Sequence, residues 1–178
     1  MTHDELKFLI AEAARITGEK YIYVVGSNAL LGTVTDPQNT VFTRSRELDI
    51  IPGSNDPKKA DQIDFVLGEL SEFDNRHHFY AQGLTLETPK YAPDGWQART
   101  VRLPVSRDVA GLCMEVHDLA LSKYGAGREK DIEFTHALAK AGYVNKQTLM
   151  ERLPLVPAEE KLRRLIAGRI ERDFSETG

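Results

Sequence analysis

The run YIYVVG at residues 21–26 is the strongest constraint on what this chain can fold into. Aromatic and β-branched residues follow one another there without a polar break. The segment therefore reads as a buried strand, and Gly26 with Ser27 reads as the tight turn that ends it. Before it, MTHDELKFLIAEAARITGEK is an amphipathic helix with Thr2 and Glu5 in capping-box register. After it, NALLG predicts a short helical turn closed by Gly32, and TVTDPQNTVFTRS at 33–45 is a loop by composition. ELDII follows as a second strand, stopped by Pro52 and Gly53.

Further along, DPKKADQIDFVLGELSEF carries Ile63, Val66, Leu67 and Leu70 at helical spacing behind Pro57. GLTLET and ARTVRLPV alternate like strands across the turn-rich PKYAPDGWQ, and predict a hairpin with a long loop. From Ser106 onward the pattern predicts helices alone: RDVAGLCMEVHDLALSKY, REKDIEFTHALAKAG, NKQTLMERL and PAEEKLRRLIAGRIERDF. The expected fold is α+β. A small mixed sheet of 21–26, 47–51, 84–88 and 98–103, flanked by helices, makes a core over residues 1–105, and 106–178 is a helical C-terminal part.

Composition removes several function classes. The single cysteine, Cys113, leaves no internal disulfide framework and reads as a buried small hydrophobe. The first helix lacks the basic start and apolar core of a signal peptide, and no run of eighteen apolar residues occurs. A cytoplasmic protein with no membrane partner is expected. The formal net charge of −4 argues against a surface built wholly for nucleic acid. Lys and Arg do gather in SKYGAGREK and EEKLRRLIAGRIER, where the ordinary reading is a solvated helix face.

The strand ELDII raises a chemical question. Glu47 and Asp49 stand at i, i+2, which puts both carboxylates on one face of a strand. Two like charges held close repel and lose hydration, and a divalent cation removes that cost. Hard oxygen ligands on adjacent same-face positions are what proteins contribute to Mg²⁺ sites, with water and phosphates completing the octahedron. The alternative is an edge strand with two solvated acids. Glu69, in the helical segment, and Glu87, on the strand-like LTLET, are both candidates for a third carboxylate.

A second charged constellation lies in SKYGAGREKD. Gly125 and Gly127 are expected to end one helix and turn into the next, so that Lys123 projects from a last turn and Arg128 opens a helix. Free N–H groups and two cations would suit a phosphate, and Asp131, at i+3 from Arg128, can hold that guanidinium or help polarise a nucleophile. The alternative is a helix pair whose charges satisfy one another. His77 and His78 read as loop or packing residues. Tyr80 and Trp96 either stack on a base or belong to the core.

VVGSNALLG followed by SRELDII resembles the signature of the nucleotidyltransferase superfamily, the polymerase-beta-like fold. HDLALSKYGAGREKDIEF at 117–134 resembles the helical motif of nucleotidyltransferase toxins of bacterial toxin-antitoxin and abortive-infection systems. Nearly the whole chain is similar to bacterial nucleotidyltransferase-like proteins of unassigned function, through strings such as YAQG, GW and AGREKD. The resemblance implies that Gly26 and Ser27 approach a nucleoside triphosphate, that Glu47 and Asp49 bind Mg²⁺, and that Lys123 and Arg128 neutralise phosphate charge beside a catalytic Asp131. The helical part would complete the cleft. A nucleoside monophosphate would pass to an acceptor that is an RNA end, a protein side chain or a small molecule, and a toxin of this kind would have an antitoxin protein as partner. Two departures stand out: the first acid is Glu where Asp is usual, and the linker from Ser27 to Glu47 is long. The Glu at position 47, together with the lack of a clear third carboxylate, supports the alternative of a non-catalytic member that binds a nucleotide, an RNA or a protein.

Overall fold

The computed structural model describes residues 1–175. The chain divides into two compact units, one of Met1–Thr88 with Thr100–Met114, the other of Pro89–Arg99 with the chain from Glu115 on.

The first unit opens with α1, His3–Thr17. The amide of Glu5 donates to the Thr2 hydroxyl at 3.2 Å and the amide of Thr2 to the Glu5 carboxylate at 2.7 Å, so the helix begins on the reciprocal cap its sequence predicts. Its buried stripe of Leu6, Leu9, Ile10, Ala13 and Ala14 faces the sheet. Strand β1, Tyr21–Val25, is central, with β2, Glu47–Pro52, antiparallel on one side and β5, Ala110–Cys113, parallel on the other. Strand β3, Tyr80–Gly83, lies parallel to β2, and β4, Val101–Pro104, antiparallel to β5. The order is β3-β2-β1-β5-β4, a mixed five-stranded sheet. Between strands come a 3₁₀ segment at Ser27–Gly32 and the helices α2, Thr40–Thr43, α3, Pro57–Leu67, and α4, Glu72–His77.

The two faces of the sheet differ. Ile22, Val24, Leu48 and Ile50 point to one face and are fully buried. Helices α1 and α3 cover that face, and they come close: a Cβ on Gly111 would lie 2.8 Å from Ile10 Cδ1, and one on Gly83 would lie 2.1 Å from the Ala60 carbonyl oxygen. Glu47, Asp49 and Gln82 therefore belong to the opposite face.

The second unit has its own core of Trp96, Leu119, Tyr124, Phe134, Leu138, Leu149 and Ile170. A 3₁₀ turn at Trp96–Arg99 precedes α5, Val116–Ala126, α6, Glu129–Lys140, α7, Lys146–Arg152, a 3₁₀ turn at Leu153–Leu155, and α8, Glu160–Ser175. Asp118, wholly buried, receives Arg99 at 2.7 Å and Arg152 at 3.1 Å, and the Tyr124 hydroxyl donates to Asp173 at 2.8 Å. Among the described residues no helix is long and apolar enough to cross a membrane.

Several expectations are overturned. Residues after Ser106 are not all helical, since Ala110–Cys113 is strand β5. A parallel strand buried beside β1 carries a continuous apolar run, VAGLC, which periodicity alone does not separate from helix. The expected strand at 84–88 is displaced to Tyr80–Gly83. Beyond Gly83, Thr85 and Thr88 close a turn on each other and the Leu86 amide donates to the Asn55 side chain at 2.8 Å, so the β-ladder stops. Consequently β4 forms its hairpin with β5, not with GLTLET. The helix expected through 56–73 breaks at Gly68 and Leu70, which has φ of 64°, and Ser71 caps a separate α4. A short helix capped by Asn39 stands in the stretch expected to be loop.

Candidate functional site

Strand β2 presents Glu47 and Asp49 on its half-buried side, between fully buried Leu48 and Ile50. Both carboxylates do point the same way. The side chain of Gln82 on β3 reaches the two together: with its amide turned to donate, Nε2 lies 2.9 Å from Glu47 Oε1 and 3.3 Å from Asp49 Oδ1. The orientation follows from the hydrogen-bond network, because an amide oxygen facing two carboxylates finds no proton. Register brings Gln82 there, since Asp49 pairs with Gln82 and Glu47 with Tyr80 in the parallel ladder.

The turn after β1 sits against the same acids. Gly26 has φ of 67° and ψ of −171°, a region open almost only to glycine. A Cβ at that position would stand 2.0 Å from Asp49 Oδ2. Glycine is thus required twice, for the backbone and for the room that the Asp49 carboxylate occupies. Next in sequence, buried Asn28 donates from Nδ2 to the Glu47 carbonyl at 2.6 Å, and the Ser45 hydroxyl donates to the same oxygen at 3.2 Å. The Asn28 bond fastens the segment just after the Gly26–Ser27 turn to the first residue of β2, and the Ser45 bond holds the approach to that strand.

Around the pair, Tyr80 has its phenol pKa raised, first by burial and then by the charges of Glu47 and Glu69. The Arg46 guanidinium lies 5.8 Å from the Tyr80 ring and binds Asp74 at 2.6 Å. Glu69 and Glu87 are both exposed turn residues, off the helix and the strand expected for them. Among the described residues no group of three or more His, Cys, Asp or Glu is placed to hold a metal ion. The donor set is therefore two carboxylates with an amide beside them. Those are hard oxygen groups, suited to a Mg²⁺ that keeps most of its coordination for water and phosphate.

A family model described as "Nucleotidyltransferase of unknown function (DUF6036)" matches residues 4–163. The chain belongs to this nucleotidyltransferase family. Neither the curated proteins nor the solved structures contain a match.

In this family member the second charged constellation is compact within its own unit. Helix α5 ends at left-handed Gly127, whose amide donates to the Lys123 carbonyl at 2.9 Å. Gly125 does not end it; that residue lies inside α5, packed against Tyr91. Lys123 is 8% exposed, and its ammonium donates to Asp131 Oδ1 at 3.2 Å with the Phe134 ring 4.8 Å away. Arg128 donates through Nε to Asp131 Oδ2 at 2.6 Å, and its own amide reaches that oxygen at 3.3 Å. Burial pushes the Asp131 carboxyl upward, but the Arg128 hydrogen bond and the Lys123 charge outweigh it and leave the pKa lowered.

The remaining candidates have structural roles. His77 stacks with Phe73 at 4.4 Å in a cluster that includes Phe8 and Phe79, His78 closes α4 in the left-handed region, and Trp96 is 4% exposed. Sequence reasoning missed Gln82 and Asn28. The amide of Asn28 directly follows Gly26–Ser27, a position from which a side chain can tie a turn to the next strand, whereas Gln82 becomes visible only through strand register.

Proposed function

We propose that this chain is a Mg²⁺-dependent nucleotidyltransferase whose Glu47–Asp49 face holds the cation that accompanies a nucleoside triphosphate. The observation that carries the reading is the shared orientation of the two carboxylates, bridged by Gln82 and set against the Gly26 turn. A bound ion supplies positive charge to the phosphate oxygens and to the departing pyrophosphate. Gly26, without a side chain, lets backbone and phosphate approach, and Ser27 offers a hydroxyl donor. Within the helical unit, Arg128 offers its guanidinium to a phosphate, and Asp131 holds it while Lys123 acts through that same carboxylate. An acceptor hydroxyl then attacks the α-phosphorus in line.

Calorimetry with each of the four nucleoside triphosphates in Mg²⁺ tests this. At least one should bind, and Asp49→Asn should weaken it by more than about tenfold with the fold unchanged by circular dichroism. A variant that binds nucleotide as the parent does would place the site elsewhere. Arg128→Ala should weaken triphosphate more than monophosphate; equal weakening removes the basic loop from the phosphate role.

A second reading, a nucleotide-binding member without turnover, is favoured by the neutral Gln82 where a third acid would complete the set. It predicts binding without pyrophosphate release.

A further inference from the structure

Gln82 stands where one atom of its amide meets both acids. Opposite Asp49 in the parallel β2–β3 register, it shares a face with Glu47, and the same amide corner lies 2.9 Å from one carboxylate and 3.3 Å from the other. Which atom occupies that corner depends on what else is present. Facing two carboxylates alone, the NH₂ must point inward, since only it carries protons to share. Facing a divalent cation held by the same carboxylates, the preference inverts: the carbonyl oxygen is a hard ligand and the NH₂ is repelled. The two states differ by a half-turn about the last side-chain torsion, which is soft, and Gln82 is exposed, so no packed neighbour blocks the turn.

We propose that Gln82 is the third oxygen ligand of the cation site, acting as a clamp through nitrogen when the site is empty and as a ligand through oxygen when it is filled. The proposal rests on the reading of Glu47 and Asp49 as a cation pair. It also assigns a consequence. Two carboxylates and a neutral amide bring a charge of −2 to the ion, against −3 for three acids, and in the resting protein the clamp must first be turned out. Such a site takes free divalent cation weakly and fills with the ion that a triphosphate carries. The amide thereby couples metal occupancy to nucleotide arrival. Neither Glu69 nor Glu87 supplies the missing charge, because neither joins the pair.

The test uses the full chain and Mn²⁺, followed by electron paramagnetic resonance of the free ion, with and without a non-hydrolysable triphosphate analogue. Thermal unfolding in chelator is recorded in parallel for the parent, Gln82→Ala and Gln82→Glu. The ligand role predicts that Gln82→Ala weakens Mn²⁺ binding about fivefold or more, and that Gln82→Glu tightens nucleotide-free binding about tenfold or more. The clamp role predicts that both variants melt about 2–4 °C below the parent without metal, and that Mn²⁺ restores Gln82→Glu but not Gln82→Ala. Unchanged or tighter Mn²⁺ binding by Gln82→Ala overturns the proposal, since a clamp that only competes would release the site when removed. A parent that binds no Mn²⁺ in either condition sinks the cation reading of Glu47 and Asp49 itself, an outcome visible before any variant is compared.

Discussion

Replacing Gly26 by Ala separates two costs that the structure places at one residue. The backbone cost comes from φ of 67° with ψ of −171°, where a residue with a side chain is strained by about 1–3 kcal/mol. The steric cost comes from the new methyl, 2.0 Å from Asp49 Oδ2 and 3.0 Å from its Cγ, which forces the carboxylate off its rotamer and away from Gln82 for about 0.5–1.5 kcal/mol more. Gly26→Ala should therefore destabilise the chain by about 2–4 kcal/mol in urea unfolding followed by circular dichroism. In an Asp49→Ala background the carboxylate is absent and only a Cβ at 3.3 Å remains, so the same substitution should cost about 1 kcal/mol less. Two results would refute the reasoning: a Gly26→Ala penalty below about 0.5 kcal/mol, or a penalty that Asp49→Ala leaves unchanged. The first would mean that the turn relaxes freely, the second that Asp49 does not press against it.

Acid sensitivity should localise to the start of α5. Burial pushes the Glu115 carboxyl upward, but hydrogen bonds and charge from His117 and Arg152 hold it at about 2 against an ordinary 4.5. A depressed carboxyl contributes stability that is complete above 4.5 and lost as pH falls toward 2, about 3 kcal/mol in all, and Glu115→Gln should flatten that part of the pH–stability curve. Burial pushes the Cys113 thiol up to about 12, so a thiol reagent at pH 8 should react with it only on the timescale of unfolding. Asp131→Asn should cost about 3 kcal/mol in urea unfolding by leaving Lys123 buried without its anion, and Lys123→Met should recover most of the loss.

Local chemistry was legible in the sequence, and long-range register was not. The Thr2–Glu5 cap, β1, β2 and the shared face of Glu47 and Asp49 depend on neighbours within a few residues, and all stand as the pattern predicts. Strand β5 escaped because burial beside β1 removes the polar alternation that marks a strand. Glu69 and Glu87 were misplaced because Gly68 breaks the helix and the Thr85–Thr88 turn ends the strand, each a stop signal read too weakly against an apolar run. Gln82 could not be found at all without the β2–β3 register. Thirty-three positions separate it from Asp49, and a shift of one residue would turn its amide to the opposite face.

The same contrast bears on the basic loop. Asp131 at i+3 from Arg128 was legible as a pair, but its second partner, Lys123, is brought in across the turn between α5 and α6. One carboxylate then faces two cations, and the three side chains together carry a single net positive charge. The cations are not equivalent: Lys123 has 10% of its side chain in contact with solvent, Arg128 has 62%. An ammonium that deep cannot turn outward without leaving Asp131 and the Phe134 ring, whereas the guanidinium can keep one edge on Asp131 and present the other to an anion. If this loop meets a phosphate, Arg128 is the group that touches it and Lys123 acts through Asp131. Arg128→Ala should then remove phosphate affinity with little loss of stability, and Lys123→Ala should remove stability first.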